Sequence, residues 1–585
     1  MNPYRTHNCG QPDLTLVDQH VRLAGWIDTI RDHGGVKFID LRDHYGVTQV
    51  VLHNENALAR GWDMRQLGRE TVISAAGVLR RRDPETVNPK ISTGEVELRV
   101  GEWEVLSVAN PVPFDISDSL NTREEVRLRY RYLDLRNPAV RSNIITRAAV
   151  ISFIRGEMER LGFLEIQTPI LTSSSPEGAR DYLVPSRKWK GKFYALPQAP
   201  QQFKQLLMTS GFDKYYQIAP CFRDEDARAD RSPGEFYQLD FEMAFATQED
   251  VFNVTEEVLY NVFHKFGDGY AITDRPFPRI TYAQSVLRYG SDKPDLRNPL
   301  IINDLSDFFD QVNFAPFKHR PVRGIVAPNC ASNPKSFFEK MLAFATGIGM
   351  KGLGYISVMD GLEFRGPIVK FLTEAKHSEL IARLGLKPND TLFFISDGVA
   401  VVDKLAGQIR QELGERLDLI EKHSYRFCFI VDFPMYELNQ ETGKIGFTHN
   451  PFSMPQGRLD ALNTQDPLTI LAHQYDIVVN GVELSSGAVR NHNPAIMRRA
   501  FDIAGYDEDE IKEKFPALYE AFHYGTPPHA GMAPGIDRML MLLVGSESIR
   551  DVIAFPMNNS GQDLLLNAPG QVAEQQLREV HVRIR

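Results

Sequence analysis

Cysteine and long apolar runs are scarce in this chain of 585 residues. Its four cysteines, Cys9, Cys221, Cys330 and Cys428, are widely spaced, with no CxxC pair and no cysteine–histidine cluster, which argues against a disulfide framework and a structural zinc site. No stretch approaches the roughly 18 consecutive apolar residues of a membrane-spanning helix, and the segment MNPYRTHNCG lacks the apolar centre of a signal peptide. We therefore expect a reduced, soluble, cytoplasmic protein with no membrane partner.

An excess of positive charge is also absent, because 66 Lys and Arg face 76 Asp and Glu and leave a formal net charge of −10. This excludes a uniformly basic nucleic-acid coat, and a content of 43% hydrophobic and 24% charged residues excludes fibrous and disordered classes. At about 150 residues per domain, the length predicts about four globular units. Neither a G-x-x-x-x-G-K-[ST] loop nor a Rossmann glycine fingerprint occurs, which excludes these two ways of holding a nucleotide.

One stretch, residues 121–147, is locally basic. It contains three acidic residues and seven arginines. The arginines are at positions 123, 127, 129, 131, 136, 141 and 147. Two explanations remain open: a solvated helix face, or a surface that meets a polyanionic partner.

Residues 14–108 predict a small β-domain. Short segments around Val21, Val36 and Val47 alternate apolar and polar residues with period two, and glycine and aspartate separate them. A strand-rich unit of about 100 residues fits a five-stranded barrel, and a small β-sandwich is the alternative.

The rest of the chain mixes helices and strands. An amphipathic run over 148–161 predicts a helix that ends at Gly162, and FLEIQTPIL after it predicts a strand. Between about residues 285 and 421, apolar strands such as GLGYISVM and TLFFIS alternate with helical stretches, which indicates an inserted α/β unit.

A first cluster of ionisable residues lies at 215–245, where two apolar strand-like runs flank a charged loop and predict a hairpin. Arg223 and Glu225 are two residues apart and should share a strand face. A second set should share a face of the returning strand: Gln238, Asp240 and Glu242. A face with so many charges is not a core face, and an edge hairpin with its polar side in water is the alternative.

Two further clusters follow. In YDIVVNGVELSSGAVRNH, Asp476 and Glu483 suit a hard cation with oxygen ligands, and Arg490 suits a bidentate pair with a carboxylate. Ordinary salt bridging is the alternative there. In GTPPHAGMAPGIDRMLMLLVG, glycines precede an apolar helix that opens at Asp537 and Arg538, and a helix start with an arginine suits an anion. A purely structural turn is the alternative there.

Together the clusters resemble the motifs of class II aminoacyl-tRNA synthetases. The helix and strand that end at Pro169 resemble motif 1, FRDE at 222–225 resembles motif 2, and GMAPGIDR at 531–538 resembles motif 3. Further segments resemble the bacterial-type aspartyl-tRNA synthetases: RYRYLDLRNP, TPILTSSSPEGARDYLVPSR, LPQAPQQFKQLLM and YGSDKPDLR. The resemblance runs from Cys9 nearly to the C-terminus, and PEGARD and GSDKPDLR favour aspartate over lysine or asparagine as the amino acid.

The resemblance implies an α+β fold with an N-terminal OB-fold β-barrel, a class II antiparallel sheet flanked by helices, and an inserted α/β domain. It implies the following segments: an OB-fold anticodon-binding domain at 1–108, a hinge at 109–140, a first catalytic part with motifs 1 and 2 at 141–284, a bacterial-type insertion at 285–420, a second catalytic part with motif 3 at 421–560, and a C-terminal extension at 561–585. Enzymes of this branch are homodimers through motif 1, so we expect a homodimer.

The implied reaction attaches L-aspartate to tRNA(Asp) at the expense of ATP. The aspartate α-carboxylate attacks the α-phosphorus to give aspartyl-adenylate and pyrophosphate, and a terminal tRNA hydroxyl then takes the aspartyl group. Both steps build negative charge on oxygen, so positioning and preorganised positive charge suffice without a protein nucleophile.

The resemblance also assigns residues to ATP. Arg223 should contact the α-phosphate and Arg538 the γ-phosphate, and Asp476 and Glu483 should hold Mg²⁺. Arg223, Glu483 and Arg538 are then the catalytic residues. The rest of the implied ATP-binding set is Asp224, Glu225, Gly535, Ile536 and Asp537.

For the amino acid, Arg490 and Lys204 match the pair that grips the aspartate side-chain carboxylate. The other implied aspartate-binding residues are Glu177, Gln201 and Asp240 around the ammonium group, His449 near the substrate, and Arg223. Because asparagine is nearly isosteric with aspartate, discrimination must depend on charge. An amide would leave the two cations without an anionic partner, at a cost of roughly 3–5 kcal/mol by analogy with broken buried ion pairs.

In the barrel, Arg31, Phe38 and Gln49 match anticodon-contacting positions, with Phe38 offering a ring to an unpaired base. Phe38 as a plain core residue is the alternative. His33, in RDHGG, stands where discriminating relatives often carry Leu, and His occurs in relatives that also aspartylate tRNA(Asn). We therefore predict a non-discriminating enzyme whose misacylated product feeds a tRNA-dependent amidotransferase. A strictly tRNA(Asp)-specific enzyme is the alternative.

Two rivals come from other functional classes. A catalytically silent RNA-binding paralogue should have lost one of the charged catalytic residues, and all of them are present. An aspartate-activating enzyme that does not use tRNA should lack the N-terminal barrel, which the sequence predicts.

Overall fold

The protein forms two compact units in a computed structural model, Met1–Arg123 and Glu124–Arg585. The structure describes residues 2–53, 67–174, 179–229, 231, 233–439 and 441–584. The six segments implied by the resemblance divide the chain more finely, and their boundaries stay predictions.

The first unit is built on five strands: β1 (His20–Asp32), β2 (Val36–Arg42), β3 (Val47–His53), β4 (Val72–Arg81) and β5 (Val96–Ser107). They close into a barrel in the order β1-β2-β3-β5-β4. Alternate residues such as Leu23 and Ile27 point inwards to a common apolar core. A Cβ on Gly77 would overlap the Arg99 carbonyl, so this glycine is required where β4 meets β5. The predicted barrel is confirmed, and the β-sandwich is wrong.

The second unit contains strands β6 to β24. Their bounds are β6 (Leu164–Glu165), β7 (Leu183–Pro185), β8 (Phe193–Ala195), β9 (Lys214–Arg223), β10 (Gly234–Ala244), β11 (Ala271–Ile272), β12 (Arg279–Thr281), β13 (Ile302–Asp304), β14 (Val322–Ala327), β15 (Gly354–Val358), β16 (Phe364–Arg365), β17 (Thr391–Ser396), β18 (Ser424–Tyr425), β19 (Phe427–Pro434), β20 (Tyr436–Leu438), β21 (Ile445–Phe447), β22 (Leu471–Val479), β23 (Val482–Val489) and β24 (His529–Met532).

The helices of the second unit are α1 (Glu124–Arg129), α2 (Arg131–Asp134), α3 (Pro138–Arg160), α4 (Gln201–Thr209), α5 (Gln248–Phe266), α6 (Tyr282–Tyr289), α7 (Ser306–Asp310), α8 (Lys335–Gly347), α9 (Glu374–Leu384), α10 (Val402–Arg416), α11 (Arg458–Thr464), α12 (Pro494–Ile503), α13 (Glu508–Lys514), α14 (Pro516–Ala521), α15 (Ile536–Leu543) and α16 (Glu574–Glu579). The helix predicted over 148–161 is the second half of α3, which begins earlier because Asn137 caps it and proline fits its first turn. Within the described ranges, no helix has the length and apolarity to cross a bilayer.

Eight strands form the central sheet in the order β12-β19-β22-β23-β24-β10-β9-β6. The six inner strands pair antiparallel, as the resemblance implies. The outermost pairs, β12 with β19 and β6 with β9, are parallel, so the sheet is mixed. The predicted antiparallel sheet is confirmed for the six inner strands. The two short edge strands are parallel to their neighbours because they reach them through long crossover connections and not through hairpins.

Strand β10 separates the core from the site. Its odd-numbered residues Leu239 and Phe241 pack in an apolar core with Ile154 of α3 and Phe252 of α5. Even-numbered residues of a strand point to the opposite face. That face is therefore available for polar chemistry.

A second sheet, β13-β14-β17-β15-β16, is built from the inserted region. The strands predicted from GLGYISVM and TLFFIS are β15 and β17. Alternate residues of β17 enter two separate apolar clusters, with Phe393 in one and Leu392 in the other, so helices and loops cover both faces of this sheet.

Several arginines of the basic stretch form ion pairs and hydrogen bonds inside the second unit. Neither a solvated helix face nor a surface for a polyanion predicts such buried contacts. Arg131 is 3% exposed, pairs with Asp134 at 2.5 Å and donates to the carbonyl of Ala554 at 3.0 Å. Arg127 pairs with the same carboxylate at 3.1 Å. Arg147, on α3, pairs with Asp537 of α15 and so joins motif 1 to motif 3.

Candidate active site

A cavity of about 680 Å³ opens on the polar face of the central sheet. It is lined by most of the residues that the sequence analysis assigned to ATP and aspartate: Gln201, Lys204, Arg223, Glu225, Asp240, His449, Glu483, Arg490, Gly535, Asp537 and Arg538. Residues more than 300 positions apart in the chain therefore meet at one site.

The hairpin of motif 2 is confirmed, as β9 and β10 pair antiparallel. β10 also pairs with β24, so it is a central strand, and the edge-hairpin alternative is wrong. β9 ends at Arg223, which leaves Glu225 in the connecting loop. The expectation that Arg223 and Glu225 share a strand face is therefore wrong, although both line the cavity, where Glu225 accepts a hydrogen bond from Arg231 at 2.8 Å.

Four predicted residues do not line the cavity. Asp224 is absent from the lining, and its backbone N–H donates to the Arg180 carbonyl at 3.0 Å. Ile536 is fully buried in the apolar core, and Asp476 lies buried behind the cavity wall. Glu177 lies outside the described residues. The roles assigned to all four stay predictions.

Beneath the cavity lies a group of four buried charges, which we call the charge cluster: Lys204, Asp240, Glu242 and Arg490. Lys204 Nζ donates to Asp240 Oδ1 at 2.7 Å and lies 3.3 Å from Glu242 Oε2. Arg490 grips Glu242 with two hydrogen bonds, Nε to Oε1 at 2.8 Å and Nη2 to Oε2 at 3.1 Å. Two cations thus balance two carboxylates where solvent is excluded.

The charges in this cluster decide the protonation of its carboxylates. Burial alone would raise the pKa of Glu242, but the positive charges of Arg490 and Lys204 outweigh burial and lower it. Burial raises the pKa of Asp240, which Lys204 offsets only in part. Glu242 is therefore a firmly ionised anchor for Arg490.

Glu242 is a residue that the motif comparison missed. Arg490 and Lys204 were expected to hold the substrate carboxylate, yet both already contact Glu242. Among the residues that the structure describes, Arg490 Nη1 donates no hydrogen bond, so one end of the guanidinium remains for a ligand. The period-two alternation of Gln238, Asp240 and Glu242 was the signal that could have identified Glu242.

Three side chains of the cavity carry buried polar atoms without a hydrogen-bond partner in the described part of the chain: Gln201 Nε2, Asp240 Oδ2 and Arg223 Nε. Unsatisfied buried donors and acceptors are rare in proteins and call for an explanation. An amino acid provides the complementary groups, since its ammonium can donate to Asp240 and its carboxylate can accept from Arg223.

Asp476 and Glu483 lie on neighbouring strands, β22 and β23. The Ser486 hydroxyl joins them, at 2.6 Å from Asp476 Oδ1 and 3.3 Å from Glu483 Oε1. Burial, and next the negative charge of Glu483, raise the pKa of Asp476 well above its usual range. Two neighbouring carboxylates whose negative charge is not fully neutralised by protein cations fit a divalent cation.

Motif 3 combines a close backbone approach with a helix start. A Cβ on Gly531 of β24 would overlap both Glu242 Oε2 and the Phe241 carbonyl, so only glycine leaves room for the charge cluster. Helix α15 begins at Ile536, and Asp537 accepts a hydrogen bond from the Tyr237 backbone at 2.8 Å. Arg538 Nη1 donates to the Glu483 carbonyl at 2.7 Å, which ties motif 3 to the two carboxylates.

The residues assigned to the anticodon lie together on the barrel of the first unit. Arg31 Nη2 donates to Asp40 at 2.9 Å and to Gln49 Oε1 at 3.1 Å. The rings of His33 and Phe38 meet edge to face at 5.5 Å. Phe38 is only partly buried and stands outside the apolar core, so its alternative placement in the core is wrong.

A family model described as class II tRNA synthetases (D, K and N) matches residues 123–559. The chain belongs to this family of class II tRNA synthetases. A second model, described as an OB-fold nucleic acid binding domain, matches residues 21–106 of the synthetase and coincides with its barrel.

The synthetase is also similar to characterised relatives over its whole length. It is 54% identical to the aspartate–tRNA(Asp/Asn) ligases of Zymomonas mobilis and Rickettsia prowazekii, covering all of this chain and 98% of each relative. The ligase of the same name from Ehrlichia chaffeensis is 53% identical, with 99% of it covered. A crystal structure of asparaginyl-tRNA synthetase from Pyrococcus horikoshii, complexed with asparaginyl-adenylate, shares the fold, with a TM-score of 0.58 and 18% identity over 94% of this chain and 97% of that one.

We predict that Gly531→Ala disrupts the charge cluster. The added methyl group overlaps Glu242 and the β10 backbone, and overpacking of this kind costs about 1–3 kcal/mol. Gly535→Ala is the matched control, because a Cβ there meets no atom closer than 3.6 Å. Urea unfolding followed by circular dichroism should show a lower midpoint for Gly531→Ala alone, and equal midpoints for the two variants would contradict the account.

Proposed function

We propose that this synthetase attaches L-aspartate to both tRNA(Asp) and tRNA(Asn) through an aspartyl-adenylate. The charge cluster is the observation that carries the choice of amino acid. Arg490 lines the cavity, and its Nη1 makes no hydrogen bond with any residue that the structure describes. The names of relatives that are 53–54% identical over the full chain support the choice of both tRNAs. A strictly tRNA(Asp)-specific enzyme is the second candidate.

Aspartate binding follows from the unsatisfied groups. Arg490 Nη1 takes the side-chain carboxylate, while Glu242 fixes the plane of the guanidinium through its other two nitrogens. Asp240 Oδ2 accepts from the substrate ammonium. Asparagine presents a neutral amide where aspartate presents a carboxylate, so it loses the charge-assisted hydrogen bond to the Arg490 guanidinium and binds less tightly.

Adenylate formation needs positive charge where the phosphates lie. Arg223 and Arg538 line the same cavity and supply two guanidinium groups to phosphate oxygens, whose negative charge rises in the transition state. Arg223 also lies over the Phe236 ring, with its Cζ at 4.9 Å from the centroid, which orients it towards the cavity. No protein nucleophile is required, since the substrate carboxylate itself attacks the phosphorus.

Asp476 and Glu483 are the residues that would hold Mg²⁺. Within the described residues, no three His, Cys, Asp or Glu side chains converge as a metal cage. This suits magnesium, which usually binds one or two carboxylates together with water and substrate phosphates. When bound, the ion supplies further positive charge to the phosphates and to the leaving pyrophosphate.

We predict that the wild-type enzyme charges transcripts of both tRNA(Asp) and tRNA(Asn) with labelled aspartate. His33→Leu should lower kcat/KM for tRNA(Asn) relative to tRNA(Asp) about tenfold, equivalent to about 1.4 kcal/mol, because His33 contacts Phe38 at the anticodon face. His44→Leu is the matched control, because His44 is an exposed histidine of the same barrel. It should leave the ratio of kcat/KM for tRNA(Asn) to that for tRNA(Asp) unchanged.

Three other outcomes of this charging assay are informative. Charging of tRNA(Asp) alone by the wild-type enzyme would favour the strictly specific candidate. Charging of neither tRNA would contradict the proposed function. Equal effects of His33→Leu and His44→Leu would remove His33 from tRNA selection.

We also propose that the enzyme is a homodimer through motif 1. The segment from α3 to residue 171 exposes apolar side chains that a partner would cover: Ile145, Leu164, Ile170 and Leu171, each 46–54% exposed. The cytoplasm is the expected location. If tRNA(Asn) is charged with aspartate, the product requires a tRNA-dependent amidotransferase as a functional partner.

Size-exclusion chromatography with light scattering tests the dimer. Leu164→Asp should shift the protein towards the monomer, because Leu164 lies in motif 1 and a carboxylate there would be buried in the apolar contact. Leu566→Asp is the matched control, since Leu566 is 77% exposed and lies outside motif 1. A monomeric wild-type protein, or identical behaviour of the two variants, would contradict the proposed interface.

A further inference from the structure

Lys293 lies beside the carboxylates assigned to the metal, although the motif comparison gave it no role. Its Nζ is 3.3 Å from Glu483 Oε2 and 2.7 Å from Asp292 Oδ2. Across the described residues, no other lysine or arginine side chain reaches ion-pair distance of the Glu483 carboxylate. Lys293 therefore occupies the position of a counter-ion to Glu483, which lines the cavity.

A buried arginine of the inserted region holds the loop that carries Lys293. Arg410 of α10 is 2% exposed and donates to three backbone carbonyls of the segment that follows Lys293. The acceptors are Asp295 at 3.0 Å, Asn298 at 2.6 Å and Leu300 at 2.6 Å. The planar guanidinium has five N–H donors in fixed directions and can therefore donate to several carbonyls at once. The compact lysine ammonium does not have this planar arrangement of donors.

The fit between α10 and this loop is close. A Cβ on Gly407 would lie 2.7 Å from the Gly290 carbonyl oxygen, and one on Gly414 would overlap the Asn298 side chain. Gly407, Arg410 and Gly414 are spaced by three and four residues, so they share one face of the helix. The other side of the loop abuts the turn before Glu483, where a Cβ on Gly481 would lie 3.3 Å from Asp295 Cβ. The loop is thus fixed between α10 and the hairpin that bears Glu483.

We propose that Lys293 is a resident counter-ion of Glu483, positioned by α10, which a divalent cation must displace. The proposal rests on the metal role assigned to Asp476 and Glu483 above. An ammonium at 3.3 Å lowers the negative potential that attracts a metal ion. The lysine stem is flexible, and Asp292 gives Nζ a second carboxylate to which it can move when the metal arrives. Lys293 is a positioning residue in this account, because it acts through Glu483.

Binding of Mn²⁺ without ATP, followed by electron paramagnetic resonance of the free ion, tests the proposal on the full-length protein. Lys293→Met should bind Mn²⁺ about tenfold more tightly than the wild type, because it removes the positive charge that repels the metal ion. A tenfold change in affinity corresponds to about 1.4 kcal/mol. Lys293→Arg keeps the charge and should bind as the wild type does. Arg410→Lys should shift affinity in the same direction as Lys293→Met, but less, because the loop is released while the charge remains.

Lys335→Met controls for the change in net charge, because Lys335 is exposed on α8 and forms an ion pair with Glu339 one helical turn away. It should leave Mn²⁺ affinity unchanged. Equal or weaker binding by Lys293→Met, or an equal gain in Lys335→Met, would overturn the proposal. If Glu483→Gln binds Mn²⁺ as tightly as the wild type, both the proposal for Lys293 and the metal role of Glu483 are wrong. The synthetase function is tested separately, by ATP–pyrophosphate exchange in the wild type, and stands if that exchange is observed.

Discussion

The pairing of four charges beneath the cavity is the constraint on which the rest of the site depends. Lys204, Asp240, Glu242 and Arg490 are each at most 2% exposed, and charges this deeply buried are stable only when paired and hydrogen-bonded. Their pairing requires α4, β10 and the end of β23 to converge. It also requires glycine at position 531, because no side chain fits between β24 and Glu242.

The same arrangement separates the two tasks of the site. In the proposed function the charge cluster defines an amino-acid subsite. The cluster is balanced internally and, within the described residues, leaves one Arg490 nitrogen and one Asp240 oxygen without a hydrogen bond. Arg223 and Arg538 line the same cavity, and in the proposed function they provide positive charge for a nucleotide. Glu483 lines the same cavity, and the loop that precedes the inserted sheet brings Lys293 to its carboxylate. Binding and charge stabilisation thus account for the chemistry without a covalent intermediate on the protein.

Sequence reasoning located the motifs because local patterns carry them. Period-two alternation predicted β10 and its polar face, and the glycines before α15 marked a close approach. It did not place Glu225 beyond the end of β9. It could not show the parallel pairing of β6 with β9 or of β12 with β19, because these strands are far apart in the chain. It missed the partners of Arg490 and Arg410 for the same reason, since a buried arginine looks like a surface arginine until its acceptors are known.

We propose that the charge cluster makes this site specific for aspartate. ATP–pyrophosphate exchange measures activation of the amino acid without tRNA, and so tests the claim directly. The account predicts exchange with L-aspartate, little or none with L-asparagine, and loss of aspartate-dependent exchange in Arg490→Gln, which keeps polarity but removes the charge. Equal exchange with both amino acids, or full aspartate-dependent exchange in Arg490→Gln, would contradict it.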